Sequence, residues 1–168
     1  MLKSFKNFIK VTLIGAPLLN KVIGIFLISM LPIIELRGAI PIGAAIGLPW
    51  YTNMITSIIG NMLPVPFILL FIVKMFEFMK KKNIMVNIIE KIEKRAMNRS
   101  ESIANKEFLG LMIFVAIPFP GTGAWTGALI AALLQLDRKK SFIYILFGVI
   151  IAAVLVTLGV YGVIGFLK

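Results

Sequence analysis

One glutamate and one arginine lie within a long apolar part of the chain. Between Lys21 and Lys74 the only charged side chains are Glu35 and Arg37, in the segment PIIELRGAIPIG. A charge at the centre of a bilayer costs about 3 kcal/mol, so each should face a partner or a cavity. Arginine keeps its charge and grips carboxylate or phosphate with two parallel hydrogen bonds, whereas glutamate can gain or lose a proton. The pair therefore predicts either an anion-binding, proton-exchanging site or a static ion pair.

The backbone around this pair contains residues that interrupt helices. Pro32, Gly38 and Pro41 bracket Glu35 and Arg37, and Gly38 and Pro41 join the pair as candidates for the substrate or proton site. On a regular helix two residues at i and i+2 point in different directions and do not pair directly. We therefore expect both side chains to lie in a turn or an extended break, where either one reaches the other or the freed backbone groups.

A second break, PFPGTG at residues 118–123, carries no charge. Its glycines and threonine are suited to presenting backbone N–H groups and a hydroxyl to an anion at a helix N-terminus. The glycine spacing does not match a dinucleotide fingerprint, and no strand precedes it. Asn61 is a weaker candidate, and Trp125 and Thr126 either line the cavity or only pack. The second-break candidates are Pro118, Pro120, Gly121, Thr122, Gly123, Trp125 and Thr126.

Composition indicates a membrane protein with few catalytic groups. Hydrophobic residues are 60% of the chain and the mean hydropathy is +1.00. Cysteine and histidine are absent, which excludes disulfides, Cys/His zinc sites and Cys- or His-based catalysis. We expect no enzyme activity, metal or cofactor. The net charge of +11 comes from basic residues flanking apolar runs, which favours anionic lipid headgroups over nucleic acid as partners.

Four apolar blocks organise the chain, at about 22–48, 51–73, 108–136 and 141–167. The second and fourth are long enough to span a bilayer. The breaks divide the first and third into legs of about a dozen residues, roughly 18 Å of helix, which is too short to cross. Irregular backbone at membrane depth is tolerated only against protein or a water-filled cavity. These two blocks therefore predict re-entrant helical hairpins.

The two halves are alike, which predicts a duplication. Pro118 follows Pro32 by 86 positions, and Gly148 follows Gly60 by 88. If each hairpin-plus-helix unit crosses once, the second copy is inverted, as in many secondary transporters. The fold class is an all-α polytopic membrane protein. Its predicted segments are an interfacial amphipathic helix (1–21), the first repeat (22–73), a basic amphipathic linker on the cytoplasmic face (74–107) and the second repeat (108–168).

The two motifs ELRGAIPIG (35–43) and PFPGTGAWTGALIAALL (118–134) resemble those of the small multidrug export proteins of prokaryotes. That family is similar in turn to the DedA/VTT-type superfamily. The resemblance implies two re-entrant hairpins that face each other at the membrane midplane. It also implies that Glu35 and Arg37 serve proton-dependent transport or lipid translocation.

Three functions follow as hypotheses. The first is a proton-coupled exporter of a small, anionic or amphiphilic substrate held by Arg37, in the cytoplasmic membrane of a prokaryote. The second is a lipid translocase or scramblase, and the third a structural membrane protein. The expected partners are the bilayer, protons and a small or lipid-like substrate. A homodimer is a further expectation, through helix faces such as Tyr161-xxx-Gly165.

Overall fold

The computed structural model describes residues 17–94, 107–119 and 121–166, and the regular structure in these ranges is entirely helical. This confirms the all-α class. The segment 86–94 is also helical. The seven helices bounded at both ends are α1 Leu18–Ser29, α2 Glu35–Ala45, α3 Trp50–Met62, α4 Pro64–Lys81, α5 Glu107–Ala116, α6 Ala124–Leu133 and α7 Arg138–Phe166.

Two helices are long and apolar enough to cross a membrane. One comprises α3 and α4 together, Trp50–Lys81, with 32 residues, and the other is Arg138–Val163 within α7, with 26 residues. Both exceed the roughly 20 residues that a hydrocarbon core requires. Pro64 lies at the junction, in the first turn of α4, where its missing N–H removes no hydrogen bond within α4. The second and fourth apolar blocks therefore form helices of membrane-spanning length, and with the composition they indicate integration into a membrane.

The chain divides into two compact units. The first contains the residues up to Asn61 and those from Ala153 onward, and the second contains Met62–Ala152. Each unit holds one pair of short helices and part of both long helices. The proposed interfacial helix at 1–21 lies outside the described residues up to position 16, and α1 begins at Leu18.

In the first unit α1 and α2 pack against each other. A turn at residues 30–34 joins them, and their shared core is formed by Ile25, Ile28, Ala39, Ile46 and Leu48. At the opposite end Lys21 donates from Nζ to the carbonyl of Ile46 at 2.9 Å. This bond ties the start of α1 to the end of α2, where the last helical carbonyls favour a cation.

The predicted break in the first block is shorter than expected. We predicted that it extends through Gly38 and Pro41, but both lie inside α2, and Glu35 is the first residue of that helix. This position of the helix suits glycine, because the side chain of Ile34 occupies the space where a Cβ on residue 38 would be. Pro41 removes only the helical donor to the carbonyl of Arg37. The tip is therefore residues 30–34, and the charge pair begins the second leg.

The hydrogen bonds that end α2 recur 88 positions later at the end of α6. Leu48 N donates to Gly43 O at 2.9 Å, and Leu136 N donates to Ala131 O at 3.0 Å. Gly47 and Gln135 both have positive φ, 79° and 55°, as this type of helix end requires. The two long helices that follow start with matching bonds as well, Asn53 N to Pro49 O and Ser141 N to Asp137 O.

Each unit also contains the same close approach between its first short helix and its long helix. A Cβ on Gly60 would lie 2.5 Å from the Phe26 carbonyl oxygen, and one on Gly148 would lie 2.6 Å from that of Met112. Each glycine is ten positions from the start of its long helix. Both contacts therefore require glycine, at two positions that are 88 residues apart in the chain.

The second unit contains the other pair, α5 and α6, and α4 packs along α6. Of the apolar face predicted in the basic linker, Ile89 is buried, while Met85, Ile88 and Ile92 are exposed and Ala96 lies outside the described residues. Lys80 of α4 forms an ion pair with Glu93 at 2.6 Å. The linker therefore begins as a continuation of α4 and then returns against it.

Candidate functional site

Glu35 lies at the first residue of α2 in an unusual backbone conformation. Its φ is +50°, in the left-handed region, and the residue is only 5% exposed. Its N–H donates to the Leu31 carbonyl at 2.9 Å, which closes the turn onto the helix. A side chain other than glycine in this conformation costs about 1–2 kcal/mol. A carboxyl group is thus held at the tip of an apolar helix pair despite that cost.

Arg37 lies in the first turn of α2, half-buried. Glu35 and Arg37 are both in this first turn, so the two charged residues belong to a helix and not to a loop. Both charges are close to the tip at residues 30–34. The pair therefore lies next to the break predicted from the sequence, but in the first turn of α2 and not in a loop.

A junction at Asn53 was not identified from the sequence. Its Nδ2 donates to the Ile40 carbonyl at 2.7 Å and to the Tyr161 hydroxyl at 2.9 Å. The Tyr161 hydroxyl in turn donates to the Leu48 carbonyl at 2.8 Å. The amide of Asn53 occupies the space beside Gly43, where any Cβ would collide with it. Asn53 therefore joins α2, α3 and the end of α7 within the first unit.

More polar side chains follow Asn53 along the same helix. Ser57 and Asn61 are fully buried, and so is Thr157 of α7. Asn53 Oδ1, Ser57 Oγ, both polar atoms of Asn61 and Thr157 Oγ1 have no hydrogen-bond partner among the described residues. A buried polar atom left unpaired costs about 1–3 kcal/mol. The spacing of four between the α3 residues is a sequence signal for a polar face, of which only Asn61 was predicted as a weaker site candidate.

The second break is closed by its own hydrogen bonds. Thr122 Oγ1 lies 2.8 Å from the carbonyls of both Ile117 and Phe119, to which it can donate. A hydroxyl has one proton, so this geometry uses the donor that we expected to meet an anion. Gly121 and Gly123 have φ of 81° and 140°, which favour glycine. Trp125 and Thr126 are half-buried in the first turn of α6, Pro118 is exposed, and Pro120 lies outside the described residues.

A surface groove of about 480 Å³ lies in the second unit. Apolar side chains of α4 and α7 form its walls, and two basic residues of α7 border it. The lining residues are Pro66, Leu69, Leu70, Arg138, Lys139, Phe142 and Ile143. An apolar cleft beside two cations suits the acyl chain and headgroup of an anionic lipid.

Within the described ranges there is no group of three His, Cys, Asp or Glu side chains that could hold a metal ion. The chain matched no curated protein and no solved structure. A family model described as "Putative small multi-drug export protein" matches residues 35–155, from the charged glutamate through most of α7. The match covers well over half of the chain, so the protein belongs to the small multidrug export family.

Proposed function

We propose that this protein is a small secondary transporter that exports a molecule with an anionic or polar group, with Glu35 exchanging protons and Arg37 holding the substrate. Family membership supports a transport role. The observation that carries the residue assignment is Glu35 itself, which is buried and in a left-handed conformation beside Arg37. A fold that needed only a turn here would be better served by glycine.

The contacts of the first unit support a re-entrant α1–α2 pair. The end of α1, at Phe26 and Ser29, packs on Gly60, and Gly43 of α2 packs on Asn53, nearer the start of α3. With a rise of 1.5 Å per residue, Gly60 lies roughly 15 Å along the helix from Trp50. A hydrocarbon core is about 30 Å thick, so a tip at this level lies near its middle. The exposed Trp50–Tyr51 pair is suited to the interface at the start of the helix.

Further parts of the proposal rest on the repeat. The matched contacts at Gly60 and Gly148, and the matched helix ends, support a duplicated hairpin-plus-helix unit. Inversion of the second copy, placement in the DedA/VTT-type superfamily and location in a prokaryotic cytoplasmic membrane remain predictions. The partners we propose are the bilayer with its anionic headgroups, protons, the substrate and a second copy of the chain.

Transport by reconstituted protein tests the role of Glu35. Proteoliposomes carrying an imposed pH gradient would be loaded with carboxyfluorescein as an anionic probe, or ethidium as a cationic one. We expect the gradient to drive movement of the anionic probe above the level of empty vesicles. Glu35→Gln should abolish this movement, because an amide cannot exchange protons.

Glu77→Gln is the matched control, because it makes the same change at an exposed position on α4 and should leave transport unchanged. Wild-type rates in Glu35→Gln vesicles would remove Glu35 from proton coupling. Movement of ethidium but not of carboxyfluorescein would contradict the role assigned to Arg37.

The groove beside Arg138 and Lys139 favours lipid translocation as a second candidate. In that case vesicles containing the protein would expose fluorescently labelled phospholipid of the inner leaflet to dithionite faster than empty vesicles. Equal quenching in the two preparations would count against it.

A further inference from the structure

The polar side chains of α3 share one face of the helix. At 100° per residue, Asn53, Ser57 and Asn61 fall within an arc of about 80°, and Gly60 lies at the edge of this arc. Gly60 is where α1 packs, and Asn53 is where α2 packs. The polar face is therefore covered, at least along one edge, by the α1–α2 pair whose tip carries Glu35.

The second copy of the repeat provides an internal comparison. Counting 88 positions on from Asn53, Ser57 and Asn61 gives Ser141, Ile145 and Val149. At each of these three pairs of equivalent positions, the two side chains are buried to the same extent. At two of the three places the second copy therefore forms the same close helix contact with ordinary apolar residues. Packing of the repeat does not require the hydroxyl of Ser57 or the amide of Asn61.

Leaving these groups unpaired is unfavourable in the observed arrangement. Ser57 Oγ and both polar atoms of Asn61 have no hydrogen-bond partner among the described residues. The same holds for Thr157 Oγ1, which lies one helical turn before Tyr161, the residue bonded to Asn53. Buried polar groups in proteins are nearly always paired with protein, water or ligand. An arrangement in which the face is hydrated or in contact with a polar ligand would satisfy all of them.

We propose that the face of α3 formed by Asn53, Ser57 and Asn61 lines a hydrophilic pathway, closed in this structure, that admits water and the hydroxyl- or amide-bearing part of a transported molecule. The pathway opens when the α1–α2 pair moves away from α3. The equivalent face of the second unit keeps one unpaired buried hydroxyl, Ser141 Oγ, and has Ile145 and Val149 at the other two places. We expect that face to stay dry. This specifies the substrate as one with uncharged hydrogen-bonding groups in addition to any group that Arg37 binds.

Thiol accessibility tests the proposal directly, because the chain contains no cysteine. Ser57→Cys and Asn61→Cys would each be treated in membranes with a charged, membrane-impermeant methanethiosulfonate reagent, and the remaining thiol counted with a maleimide after denaturation. We expect both to be modified. Ile145→Cys and Val149→Cys, at the equivalent positions, should stay unmodified, as should Ile55→Cys, which is exposed on the apolar surface of the same helix.

The proposal would be overturned if Ser57→Cys and Asn61→Cys were as protected from the reagent as the Ile145 and Val149 variants. It would also be overturned if all four variants were modified equally. If Asn61→Cys does not fold, Ser57→Cys changes only one atom and still decides the matter. Asn61→Leu gives an independent check: it should raise the melting temperature and reduce labelling at Ser57→Cys, because it stabilises the closed face. Labelling measures access alone, so it is informative even if Glu35→Gln leaves transport intact.

Discussion

Glu35 carries a carboxyl side chain in a backbone conformation that disfavours any side chain. Glu35→Gly and Glu35→Ala both remove the carboxyl group, and they differ only in how readily they adopt a φ of +50°. We expect the glycine variant to be more stable than the alanine variant by about 1–2 kcal/mol, and both to be inactive in transport. Thermal unfolding in detergent, followed by tryptophan fluorescence, measures the difference.

The opposite order is expected at an ordinary helical position. Ala44→Gly, within α2, should lower stability by about 0.5–1 kcal/mol. If alanine and glycine were equivalent at position 35, the left-handed conformation of Glu35 would not be a source of strain.

The hydrogen bond between Asn53 and Tyr161 predicts energetic coupling between two residues that are distant in the chain. Asn53→Leu removes bonds to Ile40 and Tyr161, and Tyr161→Phe removes bonds to Asn53 and Leu48. Each variant should lose about 1–2 kcal/mol of stability. The double variant should lose less than the sum, because the two residues share one hydrogen bond. Strict additivity in a double-mutant cycle would mean that this bond contributes nothing.

At the scale of helices, glycine contacts position the short pairs against the long helices. Gly60→Ala and Gly148→Ala should each destabilise the fold by about 1–3 kcal/mol, because each new methyl meets a backbone carbonyl that cannot rotate away. Gly159→Ala and Gly162→Ala in α7 are matched controls, since no atom lies within 4 Å of a Cβ there. They should leave stability unchanged or raise it by up to about 1 kcal/mol. Similar losses in the two control variants would remove the packing explanation.

The same helices show what could be predicted from sequence. Hydropathy located both spans and both interrupted blocks, because length and turn residues are local properties. It misplaced Gly38 and Pro41, since tertiary packing overrides the local tendency of glycine and proline to interrupt a helix. Asn53 was missed for a different reason: its partner Tyr161 is 108 residues away, and no local pattern reports such a bond.

At the scale of the whole molecule, the charges predict the topology. Arg138 and Lys139 lie beside Pro66, Leu69 and Leu70, so α7 starts near the level where the first long helix approaches Lys74. Lys82→Cys and Lys139→Cys should therefore react with an impermeant thiol reagent from the same face, the cytoplasmic one by the positive-inside rule. Labelling of right-side-out and inverted vesicles checks this, and reaction of Lys82→Cys and Lys139→Cys from different faces would contradict it.

The shortness of α1 and α2 has a consequence for biosynthesis. With 12 and 11 residues, neither is recognisable as a membrane segment by an insertion machinery that reads about 20 apolar residues. Their contacts with Gly60 and Asn53 exist only once α3 has been made. On the proposed re-entrant arrangement, the first helix pair enters the lipid only after Trp50–Lys81 has been synthesised, because the helix against which it packs comes later in the chain.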